Sequence, residues 1–311
     1  MKSTAILIPS YNSSGTLRET LESLLRQETL ASVCAVYLAD DGSSDDSIAL
    51  ARSIWNGPPL RIIARPQNVG QWPNVNAAIR EMGKEADWIC ILHADDMAKP
   101  TWLTELFACI ESADDRVGSI CSSWDNLEHD GSISPGETNL SRGIETITGT
   151  DQSVRDTLLR GCWWHISGCA IRTAAFVDTG DFSDRYPYMA DWEWLLRSLA
   201  RGWEVLYIPQ SLIVYRLQGA SVSGKAFRAH LDISESLDVF QKHIRYLSVR
   251  DLLGLHLIRA VALLKRLATS VIRFHPARAA RAIALLVLMP WRIARCLFVR
   301  MQQTESSAAR P

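Results

Sequence analysis

The 311 residues are 47% hydrophobic and 22% charged, enough apolar material for one large core or for one domain with an appendage, and a composition that excludes a disordered, collagen-like or small disulfide-stapled chain. The formal net charge of -1 hides an asymmetry: from residue 244 onward twelve Lys and Arg stand against Asp251 and Glu305, about +10, so residues 1–243 carry about -11. An acidic body of this kind argues against non-specific nucleic-acid binding, whereas a basic tail suits an anionic membrane surface.

Apolar runs at 4–9, 35–39, 60–64, 88–92 and 117–121 are expected as strands buried on both faces. Between them run helical stripes: Leu17, Leu21, Leu24 and Leu25, then Ile48, Ala51 and Trp55, then Trp102, Leu103 and Leu106 just after Pro100. Strand and helix alternating in this rhythm predict an α/β fold with a mostly parallel sheet and right-handed crossovers. Residues 124–157 lack periodicity and are rich in Gly, Ser, Thr and Asp, so they are expected as loops around a site. Residues 190–201 read as a helix with Trp192, Leu195, Leu196 and Leu199 inward, and 204–208 and 212–215 as two strands. From about residue 250 the chain turns to long helices rich in Leu, Ala and Arg. The expected division is an α/β domain over 1–243 and a basic helical tail over 244–311.

The seven cysteines (Cys34, Cys90, Cys109, Cys121, Cys162, Cys169 and Cys296) form no C-x-x-C pair and no zinc spacing. They read as reduced thiols of a reducing compartment, the cytoplasm. The short apolar run 5–8 ends at Pro9 and is not a signal peptide. No stretch reaches the roughly 18 uncharged apolar residues of a spanning helix; the nearest, 282–291, runs into Arg292.

Ligands of open α/β sheets bind beyond the carboxyl ends of the strands. At those ends stand Pro9-Ser10-Tyr11-Asn12, then Asp40-Asp41-Gly42-Ser43, then His93-Ala94-Asp95-Asp96. Each set has a plain structural reading, since Asp and Ser cap helices and Gly turns the chain. Acids gathered at one edge, however, repel unless a cation or hydrogen-bond donors are present, and a hard divalent ion held by one or two carboxylates and substrate phosphates fits. The chain has no G-x-x-x-x-G-K-[ST] loop and no G-x-G-x-x-G, so a diphosphate would have to be held by the metal.

These sets, with Ser44-Asp45, Asn68-Val69-Gly70 and Asp191-Trp192-Glu193, occur in an order that resembles the family 2 glycosyltransferases of the GT-A fold, over roughly residues 3–220. The resemblance implies an inverting transferase that takes a sugar from a nucleotide-diphosphate donor, by family habit a UDP-sugar. Pro9, Tyr11 and Asn12 then fall at the nucleobase pocket, with Asp40 on base or ribose and Asp41 beside it. Asn68, Gly70 and Asn76 fall in the segment closing over the nucleotide-sugar. His93 and Ala94 fall in the family's D-x-D, whose last acid, Asp95, implies Mg2+ or Mn2+ as cofactor. Asp96 falls nearer the sugar. Asp191 implies the general base, and Arg216 and Ser221 the loop over the diphosphate. Trp163 and Trp164 suit an acceptor platform or, equally, core packing; Asp191 alone suits a helix N-terminal acid.

The chain departs from the family pattern at His93, where Asp is usual, at Ala190, where Glu often precedes the base, and near Gln218, where a metal-binding His is often found. Three functions follow: transfer to a glycan or lipid-linked glycan in surface polysaccharide synthesis, transfer to a polyprenyl phosphate, or a non-catalytic subunit of the same fold. In the tail, Arg278, Arg281, Arg292, Arg295 and Arg300 fall within about 140° of a helical wheel. That pattern reads as an interfacial helix at the cytoplasmic membrane's inner face or as an appendage packing on the catalytic domain or on a second subunit.

Overall fold

The computed structural model describes residues 2–136, 143–217 and 222–308. In chain order the elements are β1 (Thr4–Ser10), α1 (Leu17–Leu25), β2 (Val36–Asp40), α2 (Ser47–Ile54), β3 (Leu60–Ala64), α3 (Gln71–Met82), β4 (Trp88–Ile91), β5 (Met97–Ala98), α4 (Trp102–Ser112), β6 (Val117–Leu127), β7 (Ile133–Pro135), β8 (Glu145–Ile147), α5 (Asp151–Arg160), β9 (Ala170–Arg172), α6 (Thr173–Thr179), α7 (Ala190–Ala200), β10 (Glu204–Arg216), α8 (Val222–Ala229), α9 (Leu231–Lys242), α10 (Val249–Ile272) and α11 (Pro276–Ala308). They form two compact units, Met1–Ser153 with Cys162–Leu217, and Val154–Gly161 with Gln218–Pro311.

The first unit is built on one sheet of order β3-β2-β1-β4-β9-β6-β10-β5. The β1, β2, β3 and β4 pairings are parallel, and β9 runs antiparallel between β4 and β6. Successive strands step from β1 to β2 and β3 on one side and to β4 on the other. The carboxyl ends of β1 and β4 therefore flank a topological switch point, where a crevice opens in sheets of this kind. The buried apolar residues of β1, β2 and β4 pack under Leu17, Leu21 and Leu24 of α1 and Trp102, Leu103 and Leu106 of α4, and this core fixes the strand ends.

Three sequence expectations change. The run 60–64 forms β3 as an edge strand with Arg61 and Ala64 exposed, so it is not buried on both faces. The segments 204–208 and 212–215 are one strand, because register shifts between Ile208, Ser211 and Ile213 absorb Pro209. Of residues 124–157, expected as loops, 137–142 lie outside the described residues, and the others continue β6 to Leu127 against β10 and add β7, β8 and the start of α5. Cross-strand partners far away in sequence create that order, and no local periodicity announces them.

In the second unit, α9, α10 and α11 are cross-tied. Arg266 pairs with Asp232 at 2.6 Å and Arg292 with Asp238 at 2.7 Å, while Arg155 makes two 2.9 Å hydrogen bonds to Asp251. The boundary expected at 243/244 thus lies inside this unit, since α9 packs with the helices that follow it. Asp251 completes a capping box with Ser248 at the start of α10, and these partners, with Arg155 foremost, hold its carboxyl down at about 2. Helix α11 is long and apolar enough over Pro276–Gln302, at mean hydropathy 1.9, to cross a membrane by length and composition. The segment includes Arg292 and Arg295, so the reading that no uncharged stretch of that length exists still stands beside it.

Candidate functional site

At the end of β1, Tyr11 leaves half of its surface exposed, free to stack. Asn12 takes φ 48° and is held by the loop after β2: its N–H donates to Ser43 Oγ at 2.8 Å, and its side-chain oxygen accepts the Ser44 N–H at 2.9 Å. Asp40 is buried and accepts from the Ser43 N–H and hydroxyl at 2.8 and 2.5 Å. Asp41, also buried, accepts the N–H groups of Val69 and Gly70 at 2.9 Å each. Asp41 therefore clamps the segment after β3. A Cβ on Gly42 would lie 2.6 Å from the Gln67 carbonyl carbon, so only glycine lets the two loops meet. The clamp leaves Asn68 exposed beside Gly70, at φ 96°.

Two residues at this pocket carried no motif. Asn74 donates to the Ala39 carbonyl at 2.8 Å and accepts from Arg65 Nε at 3.1 Å. Arg65 Nη2 is buried without a hydrogen-bond partner, a cation left for an anionic or carbonyl ligand. The sequence signal was an Arg directly after a strand; it has no spacing partner and passes unnoticed. Asn76 moves the other way. It is buried and bonds the Phe182 backbone in both directions, at 2.8 and 2.9 Å, so it tethers the approach to α7. Trp72 reinforces this tether by donating to the Pro187 carbonyl at 3.1 Å.

The turn after β4 is clamped from four sides. The His93 N–H donates to Ser167 Oγ at 3.0 Å, Thr16 Oγ1 donates to the Ala94 carbonyl at 2.9 Å, and Thr20 Oγ1 to the Asp96 carbonyl at 2.8 Å. Arg216, ending β10, donates its backbone N–H to Asp96 Oδ1 and its Nε to the Asp95 carbonyl, both at 3.0 Å, and pairs with Glu19 at 2.6 Å. Arg216 thus braces this turn; Ser221, expected with it over the diphosphate, and Gln218 lie outside the described residues.

One ligand atom each from His93, Asp95 and Asp96 lies within 4.8 Å of the others. Asp96 is fully buried, yet its Oδ2 has no hydrogen-bond partner, and neither has His93 Nε2. Burial raises the Asp95 carboxyl above the usual range, and burial and then the neighbouring Asp95 raise Asp96 well above it. Burial, with His165 close by, pushes His93 down to about 3, so its imidazole is neutral at pH 7. Two crowded acids and a neutral imidazole with unsatisfied atoms are a donor set that a divalent cation would satisfy.

Asp191 lies in the first turn of α7, partly exposed, with Oδ1 accepting the Trp192 N–H at 2.8 Å. Its charge reaches the loop 162–169 beside β4: burial first, then the Cys121 and Cys90 thiols, then Asp191 raise the Cys169 thiol. Trp163 and Trp164 are buried, Trp164 stacked on Trp194 at 5.5 Å and Trp163 edge-on to Tyr207 at 6.2 Å. Their faces are spent on the core, which corrects their reading as an acceptor platform. The aromatic surface near the metal motif comes instead from Trp124 and Tyr215, both half-buried around His165 at 5.2 and 4.8 Å.

The sequence profile described as "Glycosyl transferase family 2" matches residues 5–164, more than half of the chain. The chain belongs to glycosyl transferase family 2. It is 25% identical over 251 residues, 80% of this chain and 69% of the relative, to the uncharacterized glycosyltransferase YibD of Escherichia coli (strain K12). It is 32% identical over 127 residues, 39% of this chain and 37% of the relative, to the undecaprenyl-phosphate 4-deoxy-4-formamido-L-arabinose transferase of Yersinia pestis (strain Pestoides F). Its fold is similar to S. aureus TarS 1-349 in complex with UDP-GlcNAc, at TM-score 0.62 and 14% identity over 92% of this chain and 90% of that one. It is also similar to the mannosyltransferase PcManGT from Pyrobaculum calidifontis in complex with GDP-Man and Mn2+, at TM-score 0.59 and 14% identity over 96% and 87%. The glycosyltransferase has the GT-A-like α/β architecture that its motifs implied.

Proposed function

We propose that this glycosyltransferase moves a sugar, with inversion, from a nucleoside-diphosphate donor to a glycan or lipid-linked glycan acceptor in surface polysaccharide synthesis. The observation that carries the reading is the unsatisfied His93–Asp95–Asp96 cluster at the switch point. Tyr11 would stack on the base, with Asp40 and Arg65 at the pocket's floor. Asp95, with its two neighbours, would hold Mg2+ or Mn2+; the cation supplies charge neutralisation to the departing diphosphate. Asp191 would accept the proton of the acceptor hydroxyl as the new bond forms on the opposite face of the sugar. UDP is the favoured nucleotide, as in the TarS complex, with GDP, as in the PcManGT complex, the comparison. Calorimetry with UDP, GDP and dTDP, each with and without Mn2+, is expected to show one nucleotide bound at least tenfold tighter with metal; three nucleotides unbound under both conditions would sink the reading.

The similarity to an undecaprenyl-phosphate sugar transferase favours a second reading, direct transfer to a polyprenyl phosphate, whose oxygen is already ionised and needs no base.

The second unit supports attachment to the inner face of the cytoplasmic membrane. Helix α10 exposes Leu253, Leu257, Val261 and Leu264, and α11 exposes Ile283, Val287, Trp291 and Phe298. Each set follows helical spacing, and the opposite faces, with Leu252, Leu255 and Leu263 and with Ala282, Met289 and Cys296, are buried. Of the arginines expected to face lipid, Arg292 turns to Asp238 at 2.7 Å, while Arg281 and Arg295 stay exposed, Arg295 over the Trp291 ring at 5.4 Å. The double variant Val287→Asp, Trp291→Asp is expected to shift the protein from the membrane pellet to the supernatant with nucleotide binding intact. An unchanged distribution excludes lipid as the partner, and a change in oligomer mass without one points to a second copy.

A further inference from the structure

The family's metal motif places an acid where this chain has His93, and the structure shows what that exchange does to the donor set. A ring nitrogen of His93 lies within 4.8 Å of carboxylate oxygens of both Asp95 and Asp96. The backbone N–H of His93 donates to Ser167 Oγ at 3.0 Å, and the His165 ring stands 6.5 Å away. The His165 ring is itself fixed by a 3.0 Å contact of Nδ1 with the Ser167 carbonyl and by Tyr215 packed edge-on. Ser167 therefore contacts both residues, the His93 backbone through its hydroxyl and the His165 ring through its carbonyl. Among the described residues, no hydrogen bond satisfies His93 Nε2, and Asp96 Oδ2 is equally orphaned in full burial. A buried imidazole nitrogen left without a partner beside two carboxylates is a desolvated group that a bound cation would satisfy.

We propose that His93 is a direct nitrogen ligand of the cation, so that this site selects a borderline transition-metal dication, with Mn2+ as its representative, over Mg2+. The inference rests on the reading of residues 93–96 as the metal site of the transferase. Its chemistry is general. Imidazole suits first-row transition metals, whereas Mg2+ prefers oxygen in near-ideal octahedra and keeps its waters. An Asp at position 93 would make the set all-oxygen and erase the distinction.

Pulsed EPR of the full chain with MnCl2, alone and with UDP, tests the ligand directly. The wild type is expected to show 14N coupling of a bound imidazole, and His93→Asp to lose it while still binding Mn2+. Competition calorimetry is expected to give a Mn2+ over Mg2+ preference in the wild type that falls at least tenfold in His93→Asp. Coupling that persists in His93→Asp assigns the nitrogen to another residue and overturns the proposal. So does Mn2+ binding without 14N coupling, or no Mn2+ binding even with UDP. The wild-type spectrum alone decides if the variant fails to fold. Coupling present in a protein that transfers no sugar leaves this inference standing and removes the functional reading; transfer without coupling does the reverse.

Discussion

Asp191→Asn is expected to lower kcat for transfer to a hydroxyl acceptor by about 10²–10⁴-fold, the range typical for loss of a positioned general base. Nucleotide affinity and KM for the sugar donor are expected to stay within about twofold, because Asp191 stands in the first turn of α7 and not in the clamped loops proposed to hold the nucleotide. Asn keeps the side chain's shape and an oxygen that can still accept the Trp192 N–H, so the helix start survives and the loss reports the charge. A single-turnover assay with a preloaded nucleotide-sugar separates this from slow product release. An unchanged rate in Asp191→Asn would mean that the acceptor oxygen arrives ionised, and it would move the assignment to transfer onto a polyprenyl phosphate.

Asp95→Ala is expected to weaken metal-dependent binding of the nucleoside diphosphate by about 10²–10³-fold, several kcal/mol of charge stabilisation, and to abolish transfer. The variant removes the carboxylate yet leaves the turn intact, because Arg216 Nε holds the Asp95 backbone carbonyl and Thr16 and Thr20 hold the carbonyls of Ala94 and Asp96. Binding measured without metal is the control. If it matches the wild type while the metal-dependent increment disappears, the cation site lies at Asp95. Equal metal-dependent binding in both proteins would remove Asp95 from the site. Removing the like charge beside Asp96, one of the causes of its raised carboxyl, is also expected to lower the pH at which Asp96 ionises, a shift that NMR titration of the apo protein reads without any turnover.

The strand-end motifs were legible because each is local. A buried apolar run ending in Pro, Asp or Gly announces both a strand and the turn after it, and the order of those turns implied the GT-A-like fold that the family match and the solved structures show. Which motif residues are tied into the loops was not legible. Asp41 and Asn76 look like site residues in the sequence, but one clamps two backbone N–H groups and the other tethers residue 182. Arg65, Ser167, Trp124 and Tyr215 form the surroundings of the site without any motif, because they arrive on separate elements.

What the sequence by itself determined is the set of central strands, the helices packed on them, the positions of the chemistry-bearing turns and the basic, helical character of the end of the chain. Hydrophobic period and turn chemistry are properties of neighbours along the chain. Only the tertiary structure decided that β3 is an edge, that Trp163 and Trp164 are core, that Arg292 turns to Asp238, and that α10 and α11 keep an apolar face uncovered. Each of these is a question of what packs on top of a residue, and burial is set by partners distant in sequence.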